Sequence, residues 1–451
     1  MSAAERRHKR LGRLLVRERI ERLFDAESFV EVGARRDGED GVVAGFGRID
    51  GRTVAAYAHD PMVQRGALGV SGGQKILRLL ELAERRRTPV VTLFDSDGVR
   101  IEEGPSAMEA FAQVLAATAR LSGIVPQVGV VLGLCVGGAA YGSALQDVVV
   151  GHEDGGYCFV TGPRVTQIVT GREVAIDALG GVPMHATTTG LVHVTADDEA
   201  GSIDAAREVL AYLPANEVPN DDPLDRATRG IAAALPASER KPYDVHPIVE
   251  EIVDRGSFFE LQGAYAKNLV VGLARLGGRS IGILASQPLH RAGVLDCEAS
   301  RKGARLVQLC SAFGLPVLTL VDVPGFLPGA EQEQGGLLLH GAKLIYAYAR
   351  CRTPLVSLVI RKVYGGGSVL ALPGQLRLAY PSTRFEAMGG AAARAVRGEV
   401  HPLYEAAGGA AAAGVLDKTI HPDATRRELV RAFAVLGAPH IADAAPGNGP
   451  L

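Results

Sequence analysis

Two pairs of adjacent glycines are the residues of this sequence best suited to chemistry. Gly137-Gly138 and Gly365-Gly366 each follow an apolar run directly. Glycines between a strand and a helix leave backbone N–H groups unhindered beside a helix N-terminus, where they can bind a developing oxyanion. One such pair alone is more simply interpreted as a tight turn. Because two pairs stand in matching surroundings, we predict two oxyanion sites that face each other and can stabilise an enolate.

The surroundings match because the sequence contains an internal duplication. Pro89, Asp95 and Gly98 recur 227 positions later, and the glycine pair recurs 228 positions later. The later counterparts are Pro316, Asp322 and Gly325. An earlier matching segment begins at Asp50 in the first half and at Gly277 in the second. The period is too long for a solenoid, so we predict two diverged copies of one domain.

Hydrophobic patterning alternates strand and helix in both halves, which predicts an α/β fold. Ser71 and Gln74 have the spacing of a capping box that would begin a helix running to Glu84. The other predicted strands and helices are Gly41 to Tyr57 (two strands around an Asp-Gly turn), Val90 to Phe94, Ser106 to Leu121, Leu269 to Ser286, Lys302 to Phe313, Val317 to Val321 and Gly335 to Ala349.

A polar, proline-bearing segment from Ala215 to Asp225 separates the halves. We place the domain boundary there, which gives domains of residues 1–222 and 223–451.

The chain has 451 residues, of which 47% are hydrophobic and 22% charged, enough for two cores of ordinary size. The net charge of −2 offers no positive surface for nucleic acid. The five cysteines form no Cys-x-x-Cys motif, so we expect a reducing cytoplasm and no disulfide framework.

Two segments imitate membrane or targeting signals. The uncharged stretch from Leu121 to Gln146 contains Pro126 and six glycines, so a buried strand, turn and helix is favoured over a membrane helix, and we expect no membrane association. The basic segment from Glu5 to Ile20 lacks the apolar core of a signal peptide. We predict an amphipathic helix there, lying on its own domain or on a partner subunit.

Other residues are weaker candidates for chemistry. Ser71 lies in a Gly-x-Ser-x-Gly pattern, but no apolar strand precedes it, so a helix cap is favoured over a nucleophile. Glu102 and Glu103 could form an acid/base pair of the kind that hydratases use, although adjacent carboxylates on a loop are more often solvated. The histidines show no metal-ligand spacing, and we predict no metal site. These histidines are His185, His193 and His340.

Ten short segments share the pattern of one known family. They are Asp95–Gly104, Gly137–Leu145, Thr161–Pro163, Ala178–Gly181 with His185, Tyr265–Asn268, Asp322–Gly329, Gln334–Gly336, His340–Lys343, Arg361–Gly366 and Ala387–Gly389. Together they resemble the carboxyltransferase (β) subunits of biotin-dependent acyl-CoA carboxylases, with propionyl-CoA carboxylase β as the nearest relative. The resemblance runs from Arg17 to Arg426 and implies two crotonase-like domains in tandem.

The resemblance also implies how the site is divided. The N-terminal domain would bind mainly acyl-CoA and the C-terminal domain mainly carboxybiotin, with each active site between subunits of a homohexamer. The Gly137-Gly138 loop would hold the thioester oxyanion and the Gly366-Gly367 loop the ureido oxygen of biotin. The residues implied to bind substrate are Asp97, Gly98, Val99, Arg100, Ala139, Tyr141, Tyr364, Ser368 and Val369.

The implied reaction needs a second polypeptide. The sequence contains no Met-Lys-Met biotin-acceptor site and no ATP-grasp module. Biotin and its ATP-dependent carboxylation are therefore expected from a biotin carboxylase and carrier (α) subunit. In the implied reaction carboxybiotin releases CO2, the ureido nitrogen removes the α-proton of the acyl-CoA, and the enolate attacks CO2.

The chain departs from the family pattern at several positions. Asp97 and Val99 replace a glycine and an alanine. Val369 replaces an aspartate associated with acyl-chain choice, which predicts an acyl group other than propionyl, longer or bulkier. The segment after Met388 is shorter than usual. Two other functions stay open: biotin-independent decarboxylation of a malonyl-type thioester, and a non-catalytic scaffold, against which the two intact glycine pairs argue.

Overall fold

A computed structural model of the chain describes residues 3–33, 40–238, 241–388, 395, 410–411, 413–437 and 447–449. Contacts divide the chain into two units, Met1–Pro214 with Gly447–Pro450 and Ala215–Pro446 with Leu451. The segment after Pro214 is fixed to the second unit, since the Ala215 N–H donates to the Phe313 carbonyl at 2.9 Å. Of the predicted segments, Gly389 and most of the shortened stretch after Met388 lie outside the described residues.

The first unit alternates strands and helices along the chain. Its strands are β1 Val30–Glu31, β2 Val42–Ile49, β3 Arg52–His59, β4 Val90–Ser96, β5 Gln127–Val136, β6 Val148–His152, β7 Tyr157–Phe159 and β8 Val194–Ala196. Its helices are α1 Ala3–Arg10, α2 Val16–Leu23, α3 Val70–Arg86, α4 Gly104–Leu121, α5 Gly138–Ala144, α6 Pro163–Thr170, α7 Ile176–Gly180, α8 Val182–Met184 and α9 Glu199–Tyr212. The sheet order is β1-β2-β3-β4-β5-β6-β8, with β7 beside β5.

The second unit alternates in the same way. Its strands are β9 Phe259–Leu261, β10 Leu269–Leu276, β11 Arg279–Ser286, β12 Val317–Val323, β13 Leu355–Tyr364, β14 Leu376–Ala379, β15 Arg384–Glu386 and β16 Lys418–Thr419. Its helices within the described residues are α10 Gly230–Ala234, α11 His246–Ile252, α12 Cys297–Phe313, α13 Ala330–Gln334, α14 Leu337–Arg350, α15 Ser368–Ala371 and α16 Thr425–Leu436. The sheet order is β9-β10-β11-β12-β13-β14-β16, with β15 beside β13.

The two sheets have the same topology. In each, antiparallel pairing of the first three strands gives way to parallel pairing. Val90 on β4 pairs with Gln127 on β5, and Val317 on β12 pairs with Leu355 on β13. Both central pairs also break register near the strand end. The predicted α/β fold with two duplicated, crotonase-like domains is confirmed.

The central strands β4 and β12 bury every residue. A parallel strand that is covered on both faces has a continuous apolar sequence. This pattern is why the two strands could be predicted from the sequence. In the first unit, Leu79 of α3 and Val114 of α4 join the buried cluster around Phe94. In the second unit, Ile248 of α11 and Phe433 of α16 belong to the buried cluster that includes β12 and β13 residues. Packing of this kind fixes the carboxyl ends of the strands.

Most predicted elements are confirmed, but the capping box is wrong. Helix α3 begins at Val70, so Ser71 lies inside its first turn. The Val70 N–H donates to the Glu103 carboxylate at 2.6 Å. The cap therefore comes from a residue more than thirty positions later, which local spacing does not reveal. The strand, turn and helix predicted between Leu121 and Gln146 are present as β5 and α5, and among the described residues no helix is long and apolar enough to cross a membrane.

The predicted N-terminal helix is two helices. A turn at Gly12, with φ +75°, separates α1 from α2. Helix α2 buries Val16, Ile20 and Leu23 against its own unit. The amphipathic pattern is therefore explained by packing within the chain.

Residues 447–449 pack on the first unit, far from their neighbours in sequence. The Asn448 amide donates to the Asp147 carboxylate at 3.0 Å, and the Asn448 N–H donates to the Ser122 hydroxyl at 2.7 Å. The other oxygen of Asp147 accepts from the Gln127 N–H at 2.8 Å. Asn448 is buried, so this contact attaches residues 447–449 to the end of α4 and the start of β5.

Candidate active site

The first glycine pair joins β5 to α5, and each glycine has its own structural reason. Gly137 has φ 58° and ψ −118°, a conformation that glycine alone adopts readily. A Cβ atom on Gly138 would lie 2.7 Å from the ring of Phe111. The Gly137 N–H donates to the Phe159 carbonyl at 3.1 Å, whereas the Gly138 N–H begins a helix and has no intrahelical acceptor. The Gly138 N–H is therefore left without an acceptor inside α5.

A second donor lies in the loop after β4. Leu68 donates to the Gly98 carbonyl at 2.7 Å and forms a parallel bridge with Val99. In a parallel bridge the N–H of the middle residue points to the opposite edge. That edge is the β5 side, where a Cβ atom on Gly98 would lie 3.0 Å from the Val136 carbonyl oxygen. Gly98 therefore lies against the end of β5, next to the Gly137-Gly138 loop.

The second unit repeats the glycine loop. Gly365 follows β13 with φ 47°, and a 3-10 turn leads through Gly366 and Gly367 into α15. A Cβ atom on Gly366 would lie 2.6 Å from the ring of Phe326, and one on Gly367 would lie 2.5 Å from the Val323 side chain. A side chain at either position would therefore collide with its neighbour.

The second donor is repeated as well. Leu295 donates to the Gly325 carbonyl at 2.9 Å and forms a parallel bridge with Phe326. Phe326 thus takes the place that Val99 has in the first unit. Each unit by itself carries a strand-end loop and a glycine loop, and the two strand-end loops share the same backbone hydrogen bond.

Asp95, near the end of β4, is held by a buried ion-pair network. Arg19 of α2 donates to Asp95 at 2.9 Å and to Glu199 at 2.7 and 2.9 Å. The Arg19 side chain is fully buried. Burial alone would lower the pKa of Arg19, but the carboxylates of Asp95 and Glu199 outweigh it and raise that pKa. The network fixes the strand immediately before the Gly98-Val99 loop.

Asp322 is the counterpart of Asp95 and has a different cation. The Arg361 Nε lies 2.8 Å from the Asp322 carboxylate, and the Tyr243 hydroxyl donates to that carboxylate at 2.9 Å. Burial raises the pKa of Asp322, while the charge of Arg361 opposes the rise. Both aspartates were recognised in the sequence because they occupy matching positions in the two duplicated halves. Arg19, Glu199 and Tyr243 were missed, because nothing local marks a partner so distant in sequence.

The side chains predicted to bind substrate from the first strand-end loop are mostly engaged by the protein. Asp97 pairs with Arg65 at 2.7 Å, which neutralises its charge. Arg100 donates to the Ala67 carbonyl at 3.0 Å and lies 3.3 Å from Glu103. These contacts hold the loop in place.

The remaining predicted residues are spread over both loops. Ala139 is buried, Tyr141 is 54% exposed, and Tyr364 is half-buried. The suggested acid/base pair is wrong, because Glu103 caps α3 and pairs with Arg100 while Glu102 points to solvent.

The histidines bind protein groups. His185 lies 2.7 Å from the Cys158 carbonyl, and His193 accepts from the Val149 N–H at 3.1 Å. Burial and nearby cations lower the pKa of His340. In the parts of the chain that the structure describes, no group of three or more His, Cys, Asp or Glu side chains could hold a metal ion.

A cavity of about 550 Å³ lies beside α15 in the second unit. It lies between α15, the end of α14 and the starts of β13 and β14. Its walls are Ile345, Tyr348, Ala349, Cys351, Leu355, Ser368, Val369, Leu372, Pro373 and Gln375. Val369 is therefore at a surface that a small molecule can reach.

Known proteins have similar sequences and folds. A family model described as the carboxyl transferase domain matches residues 7–400. The propionyl-CoA carboxylase carboxyltransferase subunit of Haloferax mediterranei is 40% identical over 446 residues, covering 94% of this chain and 84% of that protein. The methylmalonyl-CoA decarboxylase subunit alpha of Veillonella parvula is 36% identical over 470 residues, covering 96% and 92%. Transcarboxylase 12S, solved as a hexamer with methylmalonyl-CoA and methylmalonic acid bound, superimposes with a TM-score of 0.92 at 35% identity, covering 99% and 94%.

Proposed function

The chain belongs to the carboxyl transferase domain family, and we propose that it is the carboxyltransferase subunit of a biotin-dependent acyl-CoA carboxylase. It transfers a carboxyl group from carboxybiotin, carried on a separate polypeptide, to the α-carbon of an acyl-CoA through an enolate. Residues 1–222 bind mainly the acyl-CoA, and residues 223–451 bind mainly the carboxybiotin.

The observation that carries this proposal is the repeated loop geometry. In the first unit the N–H groups of Val99 and Gly138 hold the thioester oxygen as it becomes an enolate oxygen. Such donors stabilise the transition state more than the substrate, and losing one typically costs about 10²–10³ in rate. The ion pair between Arg19 and Asp95 positions the loop, since it anchors the strand that ends there.

The second glycine loop fits the ureido oxygen of biotin. The absence of a Cβ on Gly366 lets the Phe326 ring pack against the loop, and we place the ureido oxygen at this Gly366-Gly367 loop. Carboxybiotin supplies the CO2 and a ureido nitrogen that can accept the α-proton. The chain itself then needs no general base.

Product analysis with and without the carrier tests the proposal. The purified chain is incubated with propionyl-CoA or a longer acyl-CoA and a carboxylated biotin carrier protein, and the carboxyacyl-CoA product is measured by mass spectrometry. We expect product only when the carboxylated carrier is present. Carboxylation of no acyl-CoA, with the carrier intact, would refute the proposal.

A second candidate is decarboxylation of a malonyl-type thioester without biotin. The likeness to the Veillonella parvula decarboxylase subunit favours decarboxylation, and the first glycine loop alone would stabilise the enolate that a reaction without biotin produces. Incubation with methylmalonyl-CoA separates the two functions. Loss of CO2 at the same rate with and without a biotinylated carrier supports the decarboxylase, and dependence on the carrier supports carboxyl transfer. Absence of both activities supports the non-catalytic scaffold.

We also propose that the working form is a homohexamer that binds a biotin carboxylase and carrier (α) subunit. The hexameric transcarboxylase 12S supports the first part, and closed symmetry would repeat each interface. In this assembly the two halves of neighbouring subunits meet at each active site. Sedimentation velocity at micromolar concentration checks it, because an active monomer would exclude a site shared between subunits.

A further inference from the structure

We propose that a cluster of cations on α12 and α14 binds a phosphate group beside the second glycine loop. The cluster consists of Arg301 on α12 and of His340 and Lys343 on α14. It lies wholly within the second unit. Two segments that stood out in the sequence, Tyr265–Asn268 and His340–Lys343, contribute to it, and the proposed carboxyl transfer gives neither of them a role.

Packing between the two helices brings the three cations together. A Cβ atom on Gly303 would lie 3.1 Å from the Leu344 side chain, so α12 and α14 approach each other closely at these residues. Arg301 lies just before Gly303 on α12, and Lys343 directly precedes Leu344 on α14. Arg301, His340 and Lys343 are each partly exposed, so a dissolved anion can reach them.

The positive charges of the cluster act on one another. Burial lowers the pKa of His340, and the charges of Arg301 and Lys343 lower it further, while Glu298 opposes this change. Burial also lowers the pKa of Lys343, together with the charges of Arg301 and Arg305. Within the part of the chain that the structure describes, neither Arg301 nor Lys343 forms an ion pair with a carboxylate. A bound anion would offset this repulsion.

Tyr265 adds a buried hydroxyl to the cluster. Its side chain is 1% exposed, and the hydroxyl has no hydrogen-bond partner among the described residues. Lys302, which follows Arg301, donates to the carbonyls of Gln262 and Tyr265 at 2.9 and 2.8 Å and so holds this segment on α12. Burial raises the pKa of Tyr265 to about 12, and the charge of the neighbouring Arg301 opposes the rise. Buried polar groups normally have a partner, and a ligand held by Arg301 would supply one.

The first unit shows that the fold itself does not require these cations. Gln74 on α3 stands 227 positions before Arg301 and matches it in the duplication. Helix α4, the counterpart of α14, contains no Lys, Arg or His before Arg120. The cluster is therefore a property of the second unit alone, and packing of the duplicated helices does not explain it.

The cluster adjoins the second glycine loop through Phe326. A Cβ atom on Gly366, in the loop, would lie 2.6 Å from the Phe326 ring, and one on Gly341, in α14, would lie 3.3 Å from the same ring. His340 directly precedes Gly341. A phosphate bound by the cluster would therefore lie near the loop at which we place the ureido oxygen of biotin.

The chemistry of the cluster matches a phosphate. An arginine can donate two parallel hydrogen bonds to phosphate oxygens, and a lysine supplies a compact positive charge. A tyrosine hydroxyl adds one further donor. Several cations around one place match a group with two negative charges better than they match a single carboxylate. Inorganic phosphate and the phosphates of CoA both have this chemistry, and the CoA source rests on the proposed function.

Binding of inorganic phosphate to the full-length protein tests the site without any turnover. Phosphorus NMR line broadening gives the Kd. Arg301→Met and Lys343→Met should each weaken binding about tenfold or more, because each change removes a charged donor. Arg350→Met, at the exposed last residue of α14, is the matched control and should leave the Kd unchanged.

Tyr265→Phe separates a ligand contact from a structural role. This change removes a hydroxyl that has no partner among the described residues. Without phosphate, the variant should therefore resist urea at least as well as the wild type. Saturating phosphate should stabilise the wild type more than the variant, because the variant binds it more weakly. A destabilised variant with an unchanged phosphate Kd would contradict the assigned role of Tyr265.

Competition identifies the source of the phosphate. If the site takes a phosphate of CoA, CoA should displace inorganic phosphate, and Lys343→Met should weaken CoA binding about tenfold or more. Pantetheine, which carries no phosphate, should displace none. If the site takes free phosphate, neither CoA nor pantetheine should compete. Either pattern supports the site.

Other outcomes would overturn the proposal. The same phosphate Kd in the wild type, Arg301→Met and Lys343→Met would exclude the cluster as the site. Dissociation of the oligomer in these variants, with phosphate binding unchanged, would assign the cations to a contact between subunits. Phosphate binding in a protein that carboxylates no acyl-CoA would keep the site and refute the proposed function. Carboxylation by a protein that binds no phosphate would do the reverse.

Discussion

The carboxylate of Asp95 occupies the space that a side chain on Gly133 would need. The two residues lie on neighbouring strands, and a Cβ atom on Gly133 would collide with the carboxylate. At the equivalent position of the second unit stands Arg361, which pairs with Asp322 at 2.8 Å. Each unit therefore keeps a buried aspartate with an arginine before its glycine loop. One unit takes the arginine from the adjacent strand, and the other takes it from α2.

The first prediction concerns the cation supplied by α2. Arg19→Met leaves the buried carboxylates of Asp95 and Glu199 without a partner, which should lower the free energy of unfolding by about 3–5 kcal/mol. The matched control is Arg22→Met on the same helix, whose partner Asp204 is exposed. The Arg22→Met change should lower the free energy of unfolding by no more than about 1 kcal/mol. Urea denaturation measures both, and equal losses would contradict the assigned role of Arg19.

The second prediction concerns the donor at Gly138. Gly138→Ala keeps the N–H but places a Cβ atom 2.7 Å from Phe111, while Gly138→Pro also removes the N–H. We expect the proline variant to lose roughly 10²–10³ in kcat, beyond the loss in the alanine variant. Gly142→Ala on the same helix, where the nearest atom to a Cβ is 3.4 Å away, serves as the control. A folded proline variant with wild-type kcat would remove Gly138 from the oxyanion site.

The third prediction is a pH dependence of stability in the second unit. His246 contacts Glu260 at 3.0 Å and Asp244 at 2.6 Å. Hydrogen bonding to Glu260, opposed by burial and aided by Asp244, raises the pKa of His246 to about 9. A raised pKa means that the folded protein gains stability from the cation, fully below about pH 6.5 and decreasingly as pH rises through 9.

Comparison with a His246→Asn variant tests this pH dependence. The difference in unfolding free energy between wild type and variant should be largest at pH 6 and should shrink by pH 9.5. A difference that is constant over this range would show that His246 is not held as a cation.

The fourth prediction concerns acyl-chain choice at Val369. Val369→Asp introduces a carboxylate into an apolar wall, and burying methylenes beside it becomes unfavourable. The preference between propionyl-CoA and longer acyl-CoAs should shift toward propionyl-CoA by about 1–3 kcal/mol in kcat/KM. Val435→Asp, at a position 79% exposed in α16, controls for the added charge. An unchanged preference order would place Val369 outside the acyl site.

Repetition made much of this fold and site predictable from the sequence. The glycine pairs, the two aspartates and the buried strands were visible because each occurs twice in the same order, and one copy supports the interpretation of the other. The missed contacts are those that only one copy makes. Arg19 reaches Asp95 from α2, and Glu103 caps α3 from a later loop. Such contacts join residues that are distant in sequence and meet only in the folded structure, so no local sequence pattern predicts them.

The C-terminal contact of Asn448 has a consequence for the order of events during synthesis. The first unit contains residues up to Pro214 and then residues 447–449, so its last native hydrogen bonds cannot form until the ribosome has translated the entire second unit. Domains generally fold in sequence order as they emerge. Here the first unit lacks the contacts of Asn448 with Asp147 and Ser122 while the second unit is synthesised and folds. The nascent chain thus passes through a stage in which the first sheet has formed but lacks its final anchor.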